Sequence, residues 1–407
     1  MRLVHQPELP FCADDPSYMG DWAIVGRVQA MRELERLYNN GCEFYPRRIL
    51  EAAGRVIHSD LVDGDTCDIE ALNGKTYQYR VRGWVTTYDE NGGESPSHVP
   101  IRVICPAIDY MSLSQLLLDA SNATIAGQWR PFHAYCTVRL ANYIKQEDED
   151  ESEEDESEED EFEEESLHNG EPNGGPIGDP NEGPWGMTLR RTEAWPVWDV
   201  VNAFLSSLRV AWQINSVFGI GCGSLEGSRR GIFSYNRFVD QHAFVYHLAN
   251  YLQTTGLGSQ YVARFFQDST YTNDDTWTVE QIGEIEERVT VLPDPVAYLA
   301  MDKQSVVFSS RATCCVKSII ADNAMPAILI LDRIRNDGSP SELADPFTPR
   351  VKWMLETHYQ FFDLPQFHVH GWVPLGMYVR NEFIPPSQPD DSTELRDVEM
   401  DGWAYLH

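Results

Sequence analysis

Ser216-Val-Phe-Gly-Ile-Gly-Cys-Gly-Ser-Leu225, followed after a basic turn by Asp240-Gln-His-Ala-Phe-Val-Tyr-His-Leu-Ala-Asn-Tyr251, is the stretch on which the fold reading turns. Val210, Ile214, Val217 and Phe218 lead into three glycines two positions apart, Gly219, Gly221 and Gly223. Without a Cβ such a loop turns tightly and brings backbone N–H groups close to a ligand. Phe238, His242, Val245 and Ala249 then recur at helical spacing. Strand, glycine loop and helix in this order form the first unit of a dinucleotide- or nucleoside-binding α/β domain. Arg229, Arg230 and the segment 231–235 separate the last glycine from the helix, so a tight structural turn is an equal reading.

Downstream, short apolar runs alternate with amphipathic ones. Strands are expected at 261–267, 288–292, 305–308 and 327–332, with helices at 276–287, 295–301, 313–321 and from Thr348-Pro349 onward. Continuously apolar short strands between helices signal a parallel sheet covered on both faces. Upstream, Val25, Val28, Met31, Leu34 and Leu37 mark one helix, and Ile49, Leu50, Ala53 and Val56 a second. Alternation at Tyr77, Tyr79 and Val81 and the turn Asn91-Gly92-Gly93 mark a small sheet or hairpin. The expected architecture is α/β, a Rossmann-like and mainly parallel sheet with helices on both faces. The expected divisions are an α+β region over 1–145, a linker over 146–186, the α/β domain over 187–365 and an extension over 366–407.

The net charge of −33 over 407 residues is unevenly spread. Sixteen acidic residues and no basic ones lie between Glu147 and Glu165. Like charges with nothing to bury do not collapse, so this linker is expected to be disordered. Ser152 and Ser157 each precede Glu-Glu-Asp, the context that acidophilic kinases recognise, and are candidate phosphorylation sites. No basic stripe exists, so direct nucleic-acid binding is not expected. No apolar run of about 18 residues suggests a membrane span. The eight cysteines include no Cys-x-x-Cys, and the N-terminal residues lack the apolar core of a secretory signal. A cytoplasmic or nuclear protein is the expectation.

The order of motifs resembles the SRR-like domain family, named for "sensitivity to red light reduced", in its fungal branch. Val217–Leu225 is similar to that family's glycine strand-loop, and Asp240-Gln241-His242-Ala243 to the start of its helix. Gln267-Asp268 resembles its strand ending in aspartate, Val291-Leu292 its third strand, Ser305–Ser309 its fourth and Asp345–Tyr359 its tail helix. The resemblance implies a regulatory protein that binds a small ligand or a protein partner, with no turnover assigned. Many members carry Pro-His-Cys after the fourth strand, where this chain has Ser309-Ser310-Arg311-Ala312.

The candidate ligand-binding set is Gly219, Gly221, Gly223, Ser224, His242 and Asp268. Asp268 ends a strand beside the glycine strand, where doubly wound folds hold a ribose. It lies far beyond the usual spacing of about twenty residues from the glycines, and a turn or helix-capping aspartate reads equally well. Cys222 with His242 and His247 offers a nucleophile and a base, yet Gly-Cys-Gly does not fit a nucleophile elbow and no orienting acid is identifiable. His358, His368 and His370 lack a recognisable third-ligand spacing, so no metal is expected. No catalytic residue and no cofactor is identified, and whether the chain is an enzyme stays open. Beside the regulatory reading stand a nucleoside-cofactor transferase of the S-adenosylmethionine type, which the Gly-x-Gly-x-Gly loop also suits, and an interaction scaffold using the acidic tract.

Overall fold

A computed structural model describes residues 3–7, 22–59, 66–80, 87–88, 94–95, 105–121, 135–145, 188, 192–193, 195, 197–207, 213–225, 235–283, 289–333, 345–364 and 373–384. Ser152 and Ser157, the 146–186 linker, Arg229-Arg230, His368 and His370 lie outside them. The N-terminal part comprises β1 (Leu3–Pro7), α1 (Trp22–Asn39), α2 (Arg47–Ile57), β2 (Thr66–Glu70), β3 (Thr76–Arg80), β4 (Thr87–Tyr88), β5 (Glu94–Ser95), β6 (Cys105–Tyr110), α3 (Leu113–Ser121) and β7 (Val138–Lys145). Its largest sheet is antiparallel, in the order β1-β7-β6. The second part runs α4 (Val197–Ser207), β8 (Ile214–Ile220), α5 (Tyr235–Thr254), β9 (Gly258–Gln267), α6 (Asn273–Gly283) and β10 (Val289–Val291). It continues α7 (Val296–Ala300), β11 (Ser305–Ser309), α8 (Val316–Asn323), β12 (Ile328–Asp332), α9 (Pro349–His358), β13 (Tyr359–Asp363) and β14 (Leu375–Arg380).

Seven of these strands form one sheet in the order β10-β9-β8-β11-β12-β14-β13. The first five are parallel, and β14 runs antiparallel to both β12 and β13. Every residue of β11 and β12 is buried. That is why the sequence shows apolar runs here and not alternation: both faces of the strand are covered. The period-two pleat still divides the side chains. Val217, Val306, Phe308, Ile328 and Ile330 join the core under α4 and α5. Phe218, Ile220, Val307, Leu329 and Leu331 join the opposite core, built with α7, α8, α9 and the N-terminal helices. The fold is a Rossmann-like α/β fold. β14 lies within the 366–407 segment and is nevertheless an interior strand, because it pairs on both sides.

The chain leaves β8 through α5 to reach β9 on one side, and returns through α7 to β11 on the other. β8 and β11 thus flank a topological switch point, the place where open α/β sheets bind ligands at the carboxyl ends of their strands. Among the described residues no helix is long and apolar enough to cross a membrane.

Candidate functional site

The glycine turn closes the carboxyl end of β8. Gly221 has φ of 69° and Gly223 of 81°, in the left-handed region that an L side chain strains to adopt. The Gly221 N–H donates to Gln267 O at 3.0 Å, tying the turn to β9. A Cβ at Gly221 would lie 2.8 Å from the Ala312 methyl, and one at Gly223 would lie 2.2 Å from the Phe238 ring. Within β8, a Cβ at Gly219 would meet the Phe266 ring at 2.8 Å. All three glycines therefore serve close packing of the chain against itself.

Asp268, the residue after β9, joins the second strand to this turn. Its Oδ2 accepts the Gly223 N–H at 2.7 Å, and its Oδ1 accepts Thr270 N–H at 2.8 Å and Thr270 Oγ1–H at 2.6 Å. A carboxylate has roughly four lone-pair sites, so capacity for one more donor remains. It is a turn aspartate, and it also stands where a ribose carboxylate would. Ser224 donates Oγ to Asp275 Oδ2 at 2.8 Å, and Asp275 also accepts Thr272 N–H at 2.9 Å. Asp275 N–H in turn donates to Thr272 Oγ1 at 3.1 Å, closing a capped start to α6. These two acids clamp the turn against the β9–α6 connection.

His242 is 1% exposed and lies on the Phe266 ring, with centroids 4.9 Å apart. Its Nδ1 faces Phe238 O at 2.6 Å and its Nε2 faces Tyr271 Oη at 2.6 Å. A carbonyl only accepts, so Nδ1 carries the proton and Nε2 accepts from the tyrosine. Burial pushes the imidazole below its usual range, and burial also holds the Tyr271 phenol well above its own. The pair stays neutral and both ring nitrogens are engaged. Cys222 is fully buried, and burial reinforced by the nearby Asp268 pushes its thiol well above the ordinary thiol range. A buried thiol without a neighbouring base or cation is not an activated nucleophile.

Sequence reasoning missed the groups on the β11 side. Asp332 ends β12 and holds the loop after β11, accepting Ser310 Oγ–H at 2.7 Å and Arg311 N–H at 2.8 Å. Arg311 has φ of 52°, unusual for a residue with a Cβ. An acid closing the apolar run Ala327–Leu331 was the available signal for Asp332. Asp294, between β10 and α7, accepts Tyr110 Oη–H at 2.5 Å and Gln267 Nε2–H at 2.9 Å. Burial pushes its carboxyl up to about 7. No local pattern announces this cluster, since Tyr110 comes from β6 in the other part of the chain. His358 packs against the Trp353 ring, and no group of three His, Cys, Asp or Glu side chains placed to hold a metal occurs among the described residues.

Sheet order and parallel register define a Rossmann-like α/β protein. No protein-family model matches the chain, and no curated protein does. Several solved structures align with about half of it. They include the N-methyltransferase NodS from Bradyrhizobium japonicum WM9, at 8% identity and TM-score 0.27 over 49% of this chain and 98% of that one. Magnesium protoporphyrin IX methyltransferase from Synechocystis PCC 6803, solved with SAH, aligns at 13% identity and TM-score 0.27 over 50% and 90%. A putative methyltransferase in complex with the Haloferax volcanii Trm112 activator aligns at 10% identity and TM-score 0.27 over 48% and 95%. The resemblance to the SRR-like domain is not upheld: no family model matches the chain. The regulatory role without turnover that it implied is withdrawn with it. The physical reason is that strand, glycine turn, helix and terminal aspartate recur in any Rossmann-like half-sheet, so their order does not separate families.

Proposed function

We propose that the chain is a transferase that uses a nucleoside cofactor of the S-adenosylmethionine type, held at the carboxyl ends of β8 and β9, beside the switch point. One observation carries this reading: the Asp268 carboxylate, at the end of β9, is locked to the glycine turn of β8 by the 2.7 Å bond from Gly223 N–H. A carboxylate with capacity for one further donor, fixed beside such a turn at the switch point, supports recognition of a ribose hydroxyl. When bound, a cofactor of this class supplies an electrophilic methyl group, whose bond to sulfur breaks with the electron pair left on sulfur. The chain's own contribution is to bind and orient: Asp268 would accept a hydrogen bond from a ribose hydroxyl, and the turn keeps the backbone of Gly221 and Gly223 fixed. His242 acts indirectly, holding Tyr271 and the start of α5. The partner we infer is a small molecule, and the setting is cytoplasmic or nuclear, on the composition argument above.

Gly221→Ala is unsuited as a binding test, because its methyl meets Ala312 before any ligand. The test is calorimetric titration of S-adenosylmethionine and S-adenosylhomocysteine into parent and Asp268→Ala. Saturable binding is expected in the parent and at least tenfold weaker binding in the variant. A ligand at a hundred times its Kd adds about 2.7 kcal/mol, so melting reads the same event. Neither heat nor stabilisation from either compound in a folded parent would leave Asp268 as a turn residue and end the transferase reading.

A further inference from the structure

The β11 side of the switch point holds polar atoms that the cofactor reading does not use. Ser309, the last residue of β11, is 4% exposed, and its Oγ has no hydrogen-bond partner among the described residues. That oxygen faces the glycine turn, lying 4.0 Å from where a Cβ on Gly221 would stand. Gln241, 1% exposed, donates Nε2 to Ser310 O at 3.1 Å and leaves its buried Oε1 unpartnered. Arg237, in the first turn of α5, stacks its guanidinium 4.5 Å from the centroid of the Phe238 ring. Its Nε is buried and likewise has no hydrogen-bond partner.

Arg237 stands among charges of both signs. Burial lowers its guanidinium pKa, and the neighbouring Arg311 cation lowers it further, against Asp332 and then Asp268. Both acids are already committed, Asp332 to Ser310 and Arg311, Asp268 to Gly223 and Thr270. A buried donor left unpaired costs stability, and two guanidinium groups near one another raise that cost. Arg311 adds a strained backbone at the same loop, and such strain gathers at ligand clamps.

We propose that this side of the switch point binds an anionic oxygen group of the second substrate, taken by the Arg237 fork and the Ser309 hydroxyl, with Arg311 supplying further positive charge. An arginine fork suits a carboxylate or a phosphate, since two parallel N–H donors meet two oxygens. Naming the anion as part of a second substrate rests on the transferase reading; the anion site itself does not.

The experiment titrates inorganic phosphate, and separately succinate, into the full chain at constant ionic strength set by chloride. Saturable binding of one of them to the parent is expected, and which one binds distinguishes a tetrahedral from a planar anion. Arg237→Gln should weaken it at least tenfold and Ser309→Ala several-fold, with S-adenosylhomocysteine affinity unchanged in both. If Arg237→Gln does not fold, Arg311→Gly reads the same weakening on a backbone that glycine adopts freely. No saturable binding of either anion to the parent, or equal binding by parent and variants, overturns the proposal. Equal loss of anion and S-adenosylhomocysteine binding in Arg237→Gln also overturns it, because the arginine then serves the cofactor. If S-adenosylhomocysteine does not bind the parent while the anion binds and depends on Arg237, the anion site stands and the transferase reading falls.

Discussion

At the scale of single residues, burial outweighs formal charge in setting what each group does. Asp294 shows this most directly. Its carboxyl titrates near 3.8 when exposed and near 7 here, because burial opposes the anion more than the Tyr110 hydrogen bond supports it. Between those values the folded chain holds a proton that the unfolded chain has released. Stability is therefore fully present below about pH 4 and falls as pH rises toward 7, by up to about 4 kcal/mol. Asp294→Asn keeps an oxygen for Tyr110 and Gln267 and has no proton to lose. Denaturant unfolding from pH 4 to 8 should show the parent losing stability relative to the variant, which becomes the more stable protein at pH 8. Parallel curves would mean that the carboxyl is not desolvated.

At the scale of elements, the unit that matters is the β8 turn with the first turn of α5. Gly223 and Phe238 meet so closely that a methyl group on the glycine has nowhere to go, and φ of 81° adds backbone strain. Gly223→Ala should cost about 1–3 kcal/mol, read from denaturant midpoints. In a Phe238→Ala background the cost should shrink, leaving the conformational part alone, and the double-mutant cycle measures the difference. A parent-like midpoint for the single variant would place Phe238 away from the turn. Most strands and helices from β8 to α9 were legible in the chain, whereas β13 and β14 were not, their aromatic run showing neither period. Thr348-Pro349 opens α9 as read, with Thr348 Oγ1 accepting Val351 N–H at 3.3 Å and proline at the first helical position. Boundaries moved by a few residues: α6 starts at Asn273 and not Thr276, because Thr272 and Asp275 cap it earlier.

At the scale of the molecule, a carboxylate fastens the N-terminal part to the sheet. Asp322, at the end of α8, accepts Phe44 N–H at 2.7 Å, Tyr45 N–H at 2.9 Å and Arg350 Nη1–H at 2.6 Å. Burial raises its carboxyl despite the arginine, so the pair is no net store of stability, and it is removal of one member that costs. Asp322→Ala strands two backbone donors and a cation and should cost about 3–5 kcal/mol. Since one hydrophobic core spans both parts, from Leu34, Leu50 and Tyr110 to Tyr298, Ile319 and Met354, a single melting transition should persist in the parent. Two transitions in the parent, or an unaffected midpoint in the variant, would show that the parts are energetically separate.

From the sequence alone came the parallel sheet, its buried strands and the position of the glycine turn. These follow from local patterns: apolar runs, glycine spacing and caps lie within a few residues of one another. Only the tertiary structure decided what those residues do. It closed the glycines on Ala312 and Phe238, engaged both nitrogens of His242, and drew Asp294, Tyr110 and Gln267 together. It also set Arg237 near Arg311 and Asp332, and the Ser309 hydroxyl against the glycine turn. Residues separated by tens to hundreds of positions meet there because the chain crosses the sheet twice around β8, and no local spacing records that crossing.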